Sequence, residues 1–237
     1  MSPTISAIGT ERSLVVSRTA RYIEAGDLDA EPSELWLVMH GYGQLARDFI
    51  QPFKAVVKPG RLIAAPEALS RFYETPATTE SHRSSRVGAS WMTREDRLNE
   101  IADYIAYLDL LEGRLAGGRS PLYRVALGFS QGAATAARWA VAGATAPDHL
   151  ILWGGLLPPD VELSLLASRL PDGITWVIGG DDRLVSVSQA EHQAEEARVA
   201  GLATQVLSFN GGHRLDRRVL LRLGDRLSRP GPSHGMV

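Results

Sequence analysis

Apolar positions along the chain fall into two alternating periods. Glu34 to Met39 is almost continuously apolar and runs into His40-Gly41-Tyr42-Gly43, the profile of a strand buried on both faces. Shorter apolar runs at Arg61 to Ala65, Tyr123 to Leu127, Leu150 to Trp153, Ile174 to Gly179 and Thr204 to Phe209 predict further strands. Between them, Ala46 to Val57, Asp96 to Leu115, Ala133 to Ala142, Ser188 to Ala200 and Arg214 to Leu227 predict helices. In the second of these, Leu98, Ile101, Ile105 and Leu108 make one apolar stripe, and Thr93-Arg94-Glu95-Asp96 reads as a capping box. Ser13 to Ala25 suits one or two antiparallel edge strands.

Strands alternating with helices of these lengths predict an α/β fold, with a mostly parallel sheet covered by helices on both faces. In such sheets ligands bind beyond the carboxyl ends of the strands, so the residues that follow strands are the candidates for chemistry. Two segments break the alternation. Residues 70–90 are polar and irregular, and read either as a lid or pocket wall or as a plain surface loop. The tail 229–237 is rich in Pro and Gly and is expected to be disordered, which leaves 1–228 as a single domain.

Composition narrows the function classes. A net charge of −2 gives no basic footprint for nucleic acid. Arg214, Arg218 and Arg222 repeat at helical spacing and read as a solvated helix face. The chain has no cysteine, which excludes disulfides and thiol catalysis. Neither a signal-like start nor a long apolar window is present, so the expectation is a cytoplasmic protein without a membrane span.

Gly128-Phe129-Ser130-Gln131-Gly132 stands at a strand-to-helix turn, where a G-x-S-x-G serine is exposed as a nucleophile. The bare pattern arises by chance often enough that its companions must carry the inference. Serine attack requires a base, an acid to orient the base, and amide donors for the oxyanion. The chain order in this architecture is serine, acid, histidine. Gly180-Asp181-Asp182 follows the strand ending at Gly179, and either aspartate suits the acid or a turn-forming Asx residue. His213 follows the strand ending at Phe209 and is the base candidate. His40-Gly41-Tyr42-Gly43 resembles the HG-type oxyanion loop, with the backbone N–H groups of Tyr42 and Gln131 as donors and His40 as a loop-holding residue. Phe72, Tyr73, Trp91, Met92, Trp153 and Leu184 lie near strand ends and are candidates to line an apolar substrate pocket, although each reads equally well as core. No ligand pattern for a metal or cofactor accompanies Asp181-Asp182.

With these motifs together, and with Ala65-Pro66-Glu67, Ala89-Ser90-Trp91 and Gly179-x-x-Asp182-x-x-Val185 among them, the chain resembles the phospholipase/carboxylesterase family of α/β-hydrolases. The resemblance spans about Glu34 to Leu227. It implies an α/β-hydrolase fold without a separate cap domain. It also implies a triad of Ser130, Asp182 and His213, because the family spacing G-x-x-D-x-x-V selects Asp182 over Asp181. The implied activity is hydrolysis of small-molecule esters with short or medium acyl chains. Acyl thioesterase or lysophospholipase activity is the alternative within the family, and a non-catalytic ligand-binding protein of the same fold is the alternative outside it. Tyr42, Gln44 and Ser186 depart from the residues common in the family, which bears on pocket shape and leaves the triad intact.

Overall fold

A computed structural model describes residues 11–27, 31–74, 85–118 and 122–228. One seven-stranded sheet organises the chain. Its strands are β1 (Tyr22–Ala25), β2 (Glu34–Met39), β3 (Arg61–Pro66), β6 (Tyr123–Phe129), β7 (His149–Trp153), β8 (Ile174–Gly179) and β9 (Thr204–Phe209), in the order β1-β3-β2-β6-β7-β8-β9. All neighbours pair in parallel except β1, which runs antiparallel to β3 at one edge. Two short strands, β4 (Ser70–Tyr73) and β5 (Val87–Ser90), form a separate antiparallel pair.

Strand alternation splits the core into two layers. Leu35, Leu37 and Met39 of β2 face one side, while Trp36 and Val38 face the other. On the first side lie α2 (Arg97–Ala116), α3 (Gln131–Ala142), α4 (Leu163–Arg169) and α5 (Val187–Val199). On the second lie α1 (Ala46–Phe49), a 3₁₀ segment at Gln51–Val56, and α6 (Arg217–Arg226). Helix α3 presents Ala133, Ala136, Ala137 and Ala140 to the sheet, all fully buried, so small side chains let its axis lie close to β6. No helix among the described residues is long and apolar enough to cross a membrane.

The structure differs from expectation in several places. The helix expected at Ala46 to Val57 is a single turn followed by the 3₁₀ segment, because Pro52 supplies no N–H to continue the α ladder. Helix α2 starts at Arg97 without a capping box: Asp96 is left-handed at φ 48° and makes no cap bond, while Thr93 Oγ1 closes a turn upstream by accepting from Glu95 N at 3.2 Å. Leu98 is therefore exposed, and the buried stripe continues instead through Tyr104, Leu108, Leu111 and Leu115. Of Ser13 to Ala25 only β1 forms a strand, and Leu14, Val15 and Val16 are exposed. The ends of segment 70–90 are ordered as β4 and β5, whereas the middle of the expected lid, 75–84, and the tail 229–237 lie outside the described residues.

Candidate active site

The candidate residues gather at the carboxyl ends of the parallel strands. Ser130 follows β6 and caps the start of α3 with φ 53° and ψ −117°, a conformation rare for a residue with a side chain and costing on the order of 1–3 kcal/mol. The turn is tight enough to require glycine on both sides. A Cβ on Gly128 would stand 2.1 Å from Gly132 O, and one on Gly132 would stand 2.3 Å from Met39 O. Ser130 N–H donates to Trp153 O at 2.9 Å, which anchors the elbow to the neighbouring strand β7.

Asp182 follows β8 and His213 follows β9, so adjacent strands deliver them side by side. His213 Nδ1 lies 2.7 Å from Asp182 Oδ2. The Asp182 side chain is 1% exposed and that of His213 is 23% exposed, so the carboxylate is shielded and the imidazole is reachable. Asp182 Oδ1 accepts from the N–H groups of Leu184 at 2.8 Å and Val185 at 3.2 Å. Burial alone would raise the carboxyl pKa, but these two amides and His213 outweigh it and hold it below the usual value. The His213 ring packs against Phe129, the residue before Ser130, with centroids 4.9 Å apart. Ser130 Oγ makes no hydrogen bond among the described residues.

The loop after β2 lies against the elbow, since a Cβ on Gly41 would stand 3.2 Å from Ser130 Cβ. Gly41 N–H donates to Gln44 Oε1 at 2.8 Å, Gly43 N–H to Ala89 O at 2.9 Å, and Gln44 N–H to Gly41 O at 3.2 Å. Among the described residues no acceptor takes the Tyr42 N–H. Gln131 is the first residue of α3, where a backbone N–H has no partner within the helix. His40 is buried beneath this loop. Its Nε2 accepts from Ala68 N–H at 3.0 Å, so Nδ1 carries the proton and donates to Gly41 O at 2.8 Å. Burial pushes its pKa down, which keeps it neutral.

No protein-family model matches the sequence, and no curated protein matches it. Solved structures do match. Esterase PE8 superposes with a TM-score of 0.66 at 20% identity, covering 89% of this chain and 98% of the other. A Bacillus cereus carboxylesterase gives 0.63 at 17%, covering 88% and 93%, and Zea mays acyl-protein thioesterase 2 gives 0.62 at 17%, covering 89% and 100%.

The fold is that of an α/β-hydrolase.

Within this fold the six expected pocket residues separate into two groups. Trp91 and Trp153 are core side chains: Trp91 Nε1 donates to His40 O at 2.8 Å and Trp153 Nε1 to Arg214 O at 3.0 Å, each indole being buried with its polar atom bonded to main chain. Phe72, Tyr73, Met92 and Leu184 remain partly or largely exposed. Phe72 stacks on Tyr42 at 5.0 Å, extending an aromatic surface from the loop after β2 onto β4. Sequence reasoning missed the side chain of Gln131, whose Oε1 accepts from Trp91 N–H at 3.0 Å and whose Nε2 donates to Met92 O at 2.7 Å. A cavity of about 180 Å³ lies elsewhere, between β9 and α6, lined by Gln205, Leu207, Ser208, Val219, Arg222, Leu223 and Arg226; it includes none of the candidate triad.

Proposed function

We propose that the protein is a serine hydrolase acting on carboxylic esters of short to medium acyl chains, by way of an acyl-enzyme on Ser130. The observation that carries this reading is the 2.7 Å Asp182–His213 pair, set at the ends of adjacent strands and packed through Phe129 against a strained serine elbow. His213 Nε2 takes the Ser130 hydroxyl proton as Oγ attacks the ester carbonyl, and Asp182 holds the Nδ1–H tautomer and steadies the imidazolium. The Tyr42 and Gln131 amides receive the oxyanion. His213 then returns the proton to the leaving alcohol, and the same base activates water to release the acid. No step calls for a metal or cofactor.

The esterases among the structural neighbours support the reaction class, and the resemblance to the phospholipase/carboxylesterase family supports the ester substrate. The thioesterase neighbour favours a second reading with the same elbow chemistry, acyl thioester hydrolysis. A non-catalytic binding protein is disfavoured because all three triad positions retain reactive side chains.

A fluorophosphonate probe should label Ser130, and Ser130→Ala should abolish both labelling and ester hydrolysis. Unlabelled wild type, or undiminished hydrolysis by the variant, overturns the proposal. Oxygen esters, thioesters and lysolipids compared side by side separate the two substrate readings.

A further inference from the structure

The two amides assigned to the oxyanion belong to different parts of the chain, since Tyr42 follows β2 and Gln131 follows β6. Pairing of β2 with β6 fixes the strand ends, but the loop carrying Tyr42 turns away from the sheet after His40. One short segment, Gly88 to Met92, touches both. On the loop side, Ala89 O accepts from Gly43 N–H at 2.9 Å and Trp91 Nε1 donates to His40 O at 2.8 Å. Gly88 faces Gly43 so closely that a Cβ there would stand 2.6 Å from Gly43 O. On the elbow side, the carboxamide of Gln131 is engaged at both ends. Its Oε1 accepts from Trp91 N–H at 3.0 Å, and its Nε2 donates to Met92 O at 2.7 Å and to Ser90 Oγ at 3.1 Å.

We infer that Gly88–Met92 is a splint that sets the separation of the two oxyanion amides, and that the Gln131 side chain is its positioning residue. This rests on the hydrolase reading above. The Gln131 backbone N–H touches the reacting oxygen, whereas its carboxamide acts through Trp91, Met92 and the loop beyond them. Displacing an oxyanion donor by a fraction of an ångström weakens a bond made in the transition state and leaves ground-state binding nearly intact, so the loss should fall on kcat.

The test uses the full chain and counts active sites by phosphonate titration. Gln131→Met keeps side-chain length and the backbone amide while removing the hydrogen bonds of the carboxamide to Ser90, Trp91 and Met92. Its kcat per titrated site should fall about 10-fold or more, with KM within about two-fold. Gln131→Glu keeps the acceptor for Trp91 N–H but not the donor to Met92 O, and should fall between wild type and Gln131→Met. Gly88→Ala, which wedges the loop side, should reproduce the kcat loss. The double variant Gly88→Ala/Gln131→Met should lose less than the product of the single effects, since both act on one device. A lowered Tm with wild-type kcat per titrated site would reduce the segment to a structural brace and overturn the inference. A change in KM or acyl-chain preference at unchanged kcat would make it a pocket wall and overturn it equally. Wild type that is not labelled at Ser130 removes the hydrolase reading, whereas labelled wild type with indifferent variants removes only the splint.

Discussion

The two oxygens of Asp182 are divided between a turn and an imidazole, Oδ1 taking the N–H groups of Leu184 and Val185 and Oδ2 taking His213 Nδ1. The turn immobilises the carboxylate so that the imidazole meets a fixed acceptor. Asp182→Asn should therefore keep the turn but misassign the imidazole proton, lowering kcat by about 10³–10⁴-fold, whereas Asp181→Asn should stay near wild type in steady-state kinetics. The reverse ranking would place the acid one residue earlier. Ser130 and His213 are legible in the sequence because each follows a clear strand in the order the chemistry requires. The choice between Asp181 and Asp182 is not, since adjacent aspartates form turns equally well; only the spacing to Gly179 and Val185 separates them. Trp91 and Trp153 are opaque for another reason. A tryptophan after a strand looks the same whether it lines a pocket or fills the core, and the carbonyls of His40 and Arg214 that decide the matter are distant in sequence. The Gln131 carboxamide is equally silent, its partners lying 40 and 39 residues upstream.

Among the elements, strong periodicity was enough where packing alone decides the outcome. Strands β8 and β9 have the bounds that their apolar runs predict. Elements set by tertiary contacts are the ones that differ: β4 and β5 exist because they pair across a long interval, and α4 has too short a pattern to stand out. Asp160, in the connection between β7 and α4, shows how such a segment is held. It takes Arg138 of α3 in a two-bond fork at 2.8 and 2.9 Å and Arg97 of α2 at 3.0 Å. The Arg138 bond chiefly lowers the Asp160 pKa from 3.8 to about 2. The folded value is depressed, so the contribution is complete above the unfolded value and is lost as pH falls through the folded one. With the side chain 37% exposed, solvent screening reduces it to about 1 kcal/mol. Asp160→Asn should destabilise the protein by about that amount at pH 7, and the gap to wild type should close between about pH 4 and pH 2 in denaturant titrations.

At the scale of the whole molecule, anchoring and the candidate site occupy opposite ends of the sheet. At the amino ends of β2 and β3, buried Glu34 pairs with Arg61 at 2.6 Å and with Lys58 at 2.7 Å, while Arg61 reaches across to Gly224 O of α6 at 2.6 Å. The candidate triad lies at the carboxyl ends, where the alternation of elements in the sequence already directs attention. The candidate triad is also divided across the sheet: Ser130 hangs from central β6, His213 from the edge strand β9, which among the described residues has β8 as its only neighbour and no fully buried residue. The loops after β8 and β9 are zipped together by Gly180 N–H to Phe209 O at 2.8 Å and Asp181 N–H to Gly211 O at 2.9 Å, so Asp182 and His213 are held in one body. Warming loosens edges before centres. Fraying of β9 would carry His213 away from a Ser130 that is still in place, so if the proposed triad operates, turnover should fade several degrees below the midpoint at which circular dichroism records loss of helix. Coincident midpoints would show that the edge melts only with the whole. An assay of this protein is in that sense a thermometer for its rim, and an activity optimum read from it would understate how much heat the sheet itself withstands.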